Sequence, residues 1–152
     1  MSIKKQILKN NIVLVTEPIA TSKAVAIGFW FSVGSRYEAE NQSGITHFVE
    51  HMIFKGTPKR TAYEIACSFD RIGGYVNAFT ERELVCLHCV VPAQYAEFAL
   101  EILTDMTHNA LFLEQDVNKE RSVIESEIIS AQDDPEEACL DTVIDCVFPE
   151  NP

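Results

Sequence analysis

His47, Glu50 and His51 stand within the five-residue run His47-Phe48-Val49-Glu50-His51. Two histidines four positions apart share one face of a helix, a single turn from each other. Imidazoles placed that way can bind one zinc ion through their nitrogens, as in many catalytic zinc sites. Glu50 falls about 60° around the helix axis from His47, still on the site-facing side. It can therefore reach a water held by the metal without being a ligand itself. The order H-x-x-E-H is the reverse of the H-E-x-x-H arrangement. Metal-assisted hydrolysis, with Glu50 as general base, is the chemistry these residue types suit.

A catalytic zinc takes a third protein ligand and leaves its fourth position open. The pattern over Glu114–Ala131 predicts a helix with an apolar stripe of Val117, Ile124, Ile128 and Ala131. Glu120 and Glu127, seven residues apart, fall inside that stripe, whereas Glu114, Glu125 and Ser126 point elsewhere. Carboxylates on a core-facing side are costly unless a cation or hydrogen-bond donors compensate them. By position alone, Glu120 and Glu127 are equal candidates for the third ligand.

The elements that must carry these residues are legible. Ile3–Leu8 and Ile12–Thr16 read as strands joined through Lys9-Asn10-Asn11, where Asn tolerates the positive φ of a tight turn. Ala24–Val33 reads as a third strand, with Val25, Ile27, Phe29 and Phe31 on one face. After a polar loop from Gly34 to Ser43, a helix is expected over roughly Gly44–Lys55, with Ser43 as its N-cap and Gly56 just beyond its end. Thr61 and Glu64 form a capping box that opens a helix ending at Gly73-Gly74. Tyr75–Thr80 and Leu84–Val91 follow as strands, the second apolar enough to be central. Helices are expected at Ala93–Asn109 and Glu114–Ala131. A last one begins at Asp134-Pro135-Glu136-Glu137 and runs to about Val147. Early strands and late helices imply α+β, with a largely antiparallel sheet and helices packed on one face.

These motifs carry a resemblance. The chain is similar to the N-terminal part of the pitrilysin/insulinase family of zinc metallopeptidases, near its mitochondrial-processing-peptidase-like and bacterial branch. The matching residues are Gly34-Ser35-Arg36-Tyr37-Glu38, Gly44-Ile45-Thr46-His47-Phe48-Val49-Glu50-His51-Met52, Phe54-Lys55-Gly56-Thr57, Gly73-Gly74, Asn77-Ala78-Phe79-Thr80 and Glu120-Arg121-Ser122-Val123-Ile124. The resemblance implies that the third ligand is Glu127, which lies 76 residues beyond His51 and just before Ile128. It implies that Glu120 supports the site without binding metal. It further implies that Asn77, Ala78 and Phe79 belong to an edge strand that binds substrate by pairing. One Zn²⁺ per catalytic domain, a peptide substrate and a second homologous half, on this chain or another, are implied as well. On this reading residues 1–152 form a single, truncated N-terminal catalytic domain of a longer metalloendopeptidase for short or unfolded peptides, inactive when isolated. The abrupt end at Phe148-Pro149-Glu150-Asn151-Pro152 suits a truncation. Val85-Cys86-Leu87 departs from the family's usual Thr-x-Tyr in this strand and leaves substrate preference open.

Composition narrows the alternatives. A net charge of −11 opposes nucleic-acid binding, which needs clustered Lys and Arg, and suits an anionic membrane surface poorly. No signal peptide or membrane-spanning run is evident, and five cysteines without framework spacing suggest reduced thiols in a cytoplasmic setting. Cys86 and Cys89, three apart on a strand, face opposite sides and should not share a metal. His108 reads as a helix-end residue, and Asp133, Asp134, Glu136 and Glu137 as capping residues. A non-catalytic structural subunit of the same fold and a zinc-bearing peptide-binding module are the competing functions. The structural subunit is disfavoured by the presence of His47, Glu50, His51, Glu120 and Glu127 together.

Overall fold

The computed structural model describes residues 3–148, so Pro149-Glu150-Asn151-Pro152 at the abrupt end lies outside it. Strands β1 (Lys4–Ile7) and β2 (Val13–Thr16) pair antiparallel, with Lys4 opposite Thr16. Of the two turn asparagines only Asn11 adopts positive φ, at 64°. This hairpin is a two-stranded sheet of its own, with Ile7, Val13 and Val15 exposed. The antiparallel character expected from the sequence holds, but in two sheets rather than one.

Strands β3 (Ala24–Phe31), β4 (Tyr75–Thr80) and β5 (Val85–Pro92) form the second sheet in the order β3-β5-β4, all antiparallel. The almost continuously apolar β5 is central, as its composition requires. Leu87, Cys89 and Val91 face the core with Ala78 of β4, and Val25, Ile27 and Phe29 of β3 pack alongside. The core closes with Ile65 and Phe69 of α2 (Ala62–Arg71) and Ala99, Ile102, Leu103 and Met106 of α3 (Ala96–Asn109). Cys86 is buried on the opposite side, across from Trp30 and Phe79, so the two thiols do face apart. Burial pushes both thiols up from their usual range.

The first helix, α1 (Ile45–Met52), lies against β4 and against α4 (Glu114–Asp133), which is followed by α5 (Pro135–Val147). The capping box of α2 is formed by Thr61 and Glu64, and Asp134 caps α5 by accepting from Glu136 N at 2.8 Å. On α4 the stripe is only partly covered: Glu120 is buried, whereas Ile128 is 52% exposed. The expected inward face is therefore interrupted at Ile128, with Val117, Ile124 and Ala131 half-buried. Among the described residues no helix is long and apolar enough to cross a membrane.

The turn after α1 is anchored to α3 by buried polar bonds. Gly56, at φ 124°, lets the chain reverse, and its carbonyl accepts from Leu111 N at 2.9 Å. Thr57 Oγ1 donates to Asp105 Oδ2 at 2.6 Å, and Asn109 Nδ2 donates to Oδ1 at 2.9 Å. The Thr57 hydroxyl is the main reason that Asp105 sits below the usual carboxylate range. Burial opposes it, and Asn109, Lys59 and Arg60 add to it. A depressed folded value stabilises above the unfolded pKa of about 3.9 and is lost as pH falls through the folded value. Asp105→Asn should remove that acid-sensitive component. Urea-unfolding curves of variant and parent should then converge between about pH 5 and about pH 2; a gap that does not narrow would contradict it.

Candidate metal centre

The site is built where α1 meets α4. Glycine at position 34 lets the preceding loop press on the β4–β5 turn, since a Cβ there would collide with the Glu81 and Arg82 carbonyl groups. Arg36 N donates to Arg82 O at 2.9 Å, and the Arg36 guanidinium pairs with Glu83. So held, Glu38 turns its carboxylate to the start of α1. It accepts from Gly44 N and Thr46 N, both at 2.7 Å. Burial, the largest single influence, raises the Glu38 pKa, but the bonds to Thr46 and Gly44 together with His47 hold it below the usual range. The N-cap is Gly44, at φ 84°, and not Ser43 as the sequence suggested. A distant carboxylate replaces the local hydroxyl because it satisfies two orphan amides at once.

On α1, His47 and His51 converge: their Nε2 atoms are 3.1 Å apart and the rings meet edge to face. Glu127 Oε2 lies 3.8 Å from His47 Nε2 and 3.5 Å from His51 Nε2. These three groups are the cluster able to hold a metal ion among the described residues. Nitrogen and oxygen donors around a tetrahedral zinc, each about 2.0–2.1 Å from the ion, are about 3.4 Å from one another. The donor triangle of 3.1, 3.5 and 3.8 Å fits that size.

His51 Nδ1 is 2.8 Å from Glu120 Oε1, whose carboxylate is only 5% exposed and also pairs with the Lys55 ammonium. Burial, again the largest single influence, raises the Glu120 pKa. Lys55 and His51 overcome it and hold the group below the usual carboxylate range. An ionised carboxylate only accepts, so Nδ1 carries the proton in this contact and Nε2 is the nitrogen directed at His47 and Glu127. Two ring nitrogens and a carboxylate oxygen directed at one point form a donor set that suits a cation. Glu50 shares the helix, and its Oε2 is buried with no hydrogen-bond partner among the described residues. Such an atom is costly unless something not in the protein meets it.

Of the residues singled out in the sequence, His47, His51, Glu127 and Glu120 are brought together in one cluster, with Glu50 on the same helix as the histidines. Asn77, Ala78 and Phe79 lie on β4, at the sheet edge and against α1. An open cleft of about 680 Å³ runs from His47 past Thr80 to the Glu81–Leu84 turn. Two contributors have no assigned role in the sequence reading: Glu38 and Lys55. The four-residue step of His47, His51 and Lys55 could have revealed the second.

Comparison with known proteins agrees with this arrangement. Residues 13–152 match the family described as Insulinase (Peptidase family M16). The chain is 44% identical over 139 residues to the Bacillus subtilis (strain 168) protein named uncharacterized zinc protease YmxG, covering 91% of this chain and 34% of that protein. An uncharacterized zinc protease of Rickettsia felis is 40% identical over 145 residues, covering 95% and 35%. The chain thus spans about a third of the length of these relatives. Among solved structures, a protease from Helicobacter pylori superposes with a TM-score of 0.78 at 27% identity, covering 83% of this chain and 30% of its own. The periplasmic protease PqqL of Escherichia coli gives 0.83 at 26%, covering 91% and 16%.

The capping role of Glu38 is open to measurement. Glu38→Gln keeps one acceptor oxygen where there were two. Amide exchange at Gly44 or Thr46 should then speed up about five- to thirty-fold, equivalent to about 1–2 kcal/mol. Unchanged exchange at both would mean that the carboxylate does not cap α1.

Proposed function

Starting from the fact that this chain belongs to the Insulinase (Peptidase family M16) family, we propose that it carries the zinc-binding, catalytic part of a metalloendopeptidase. The supporting observation is the convergence of two imidazole nitrogens and one carboxylate oxygen at 3.1–3.8 Å, with the unpartnered Oε2 of Glu50 on the same helix. His47, His51 and Glu127 are the proposed ligands of a single Zn²⁺. When bound, zinc lowers the pKa of a water towards about 7 and polarises the scissile carbonyl. Glu50 takes the proton of the attacking water and delivers it to the leaving amine. Glu120 orients His51 from behind. The relatives' names as zinc proteases support the choice of metal.

The substrate is proposed to be a short or unfolded peptide that adds as a strand to the edge of β4 at Asn77, Ala78 and Phe79. Backbone pairing gives affinity with little demand on side-chain identity. In support, β4 pairs on one side only among the described residues, and the cleft beside His47 adjoins its end. The chain is read as one N-terminal catalytic domain that works against a second homologous half, so that 152 residues alone should cleave peptides poorly or not at all. Exposed Ile128, Ile129, Leu140 and Val143 on α4 and α5 support further packing there. The free thiols, three of them fully or partly buried, support a reducing, cytoplasmic setting.

In the full-length protein, Glu50→Gln should keep its zinc while turnover of an unstructured peptide falls at least about 100-fold. Turnover at the parental rate would remove Glu50 as the base. His51→Ala or Glu127→Ala should lose the metal, read by elemental analysis after dialysis. Full zinc occupancy in Glu127→Ala would refute the ligand set.

A further inference from the structure

Lys55 lies one turn beyond His51, its backbone N–H donating to Met52 O at 3.0 Å. His47, His51 and Lys55 therefore form a stripe at four-residue spacing that faces α4. Its partners there run backwards, Glu127 for the two histidines and Glu120 for His51 and Lys55, so the helices meet antiparallel. The Lys55 side chain, 31% exposed, directs its ammonium to Glu120. It occupies Oε2 of a nearly buried carboxylate whose Oε1 faces His51 Nδ1 at 2.8 Å.

We infer that Lys55 is a positioning residue for the metal centre: by occupying one oxygen of Glu120 it fixes the other on His51 Nδ1, so that His51 offers Nε2 to the ion. A carboxylate can turn about its last bond, and a buried one with a single donor has no reason to hold one orientation. A second donor, charged and held in the turn that directly follows the histidine's helix, removes that freedom. His51 then has one tautomer and one ring orientation before any metal arrives. The cost of organising the ligand is met by folding instead of by binding. This rests on the zinc-centre reading above, but the tautomer of His51 can be measured with no metal present.

The test uses the purified protein with Lys55→Met and Lys55→Arg, and Lys55→Gln should the first fail to fold. Zinc affinity is read by competition with a chromophoric chelator. The His51 tautomer is read from imidazole ¹⁵N shifts in the metal-free protein. Lys55→Met should weaken zinc binding about 10- to 100-fold, the usual effect of losing a partner behind the ligands. It should also convert the His51 signals from a pure Nδ1–H form to a mixture. Lys55→Arg keeps the cation and should preserve both. Parental affinity and an unchanged tautomer in Lys55→Met would overturn the inference and leave Lys55 a helix-to-helix ion pair. If the parent protein binds no zinc, the zinc reading fails by itself, and the ¹⁵N shifts still decide whether Lys55 sets the tautomer.

Discussion

A carboxylate that has almost left water must find positive charge or donors, and Glu120 finds both on α1 and the turn that follows it. Its two oxygens are divided between the His51 imidazole and the Lys55 ammonium. Those two contacts tie α4 to the C-terminal end of α1. Once Glu120 is placed, Glu127 follows two helical turns along, and the antiparallel run of the helices delivers it to the Nε2 atoms of His47 and His51. Desolvation of one acid thus sets the position of another. A buried charge broken from its partners is strongly destabilising, so the arrangement resists slippage.

The helix that carries both imidazoles spans only eight residues, too few to be stable on its own. It is held at its two ends by polar groups from elsewhere. Glu38 meets its first amides, and the turn that follows it is bonded through Thr57 to Asp105 within α3. The loop bearing Glu38 is in turn tied to the β4–β5 turn by Arg36. The proposed ligands therefore hang on the same sheet and helix core that gives the domain its stability. Their separations are set by well-packed elements, which is what a site needing sub-ångström placement demands.

The strand arrangement adds a functional consequence. Because β5 is apolar on nearly every residue it takes the centre, and β4 is left at the edge beside α1. An edge strand is ordinarily a liability for aggregation. Here the end of that edge strand, at Thr80, lines the cleft at His47, beside which the proposed peptide would pair.

Local periodicity is written into the chain, and so the sequence alone determined what depends on it. It specified the helices and strands to within a few residues, the capping box at Thr61, the α+β class and the common face of His47 and His51. It also placed Glu120 and Glu127 on one stripe. Which of the two faces which nitrogen was decided only by docking, since His51 and Glu120 are 69 residues apart and no repeat within a helix encodes that distance. The capping of α1 by Glu38 in place of Ser43, the pairing of Lys55, the separate β1–β2 sheet and the exposure of Ile128 share that origin. Each depends on which surfaces meet, and side-chain spacing along one element carries no information about its neighbour.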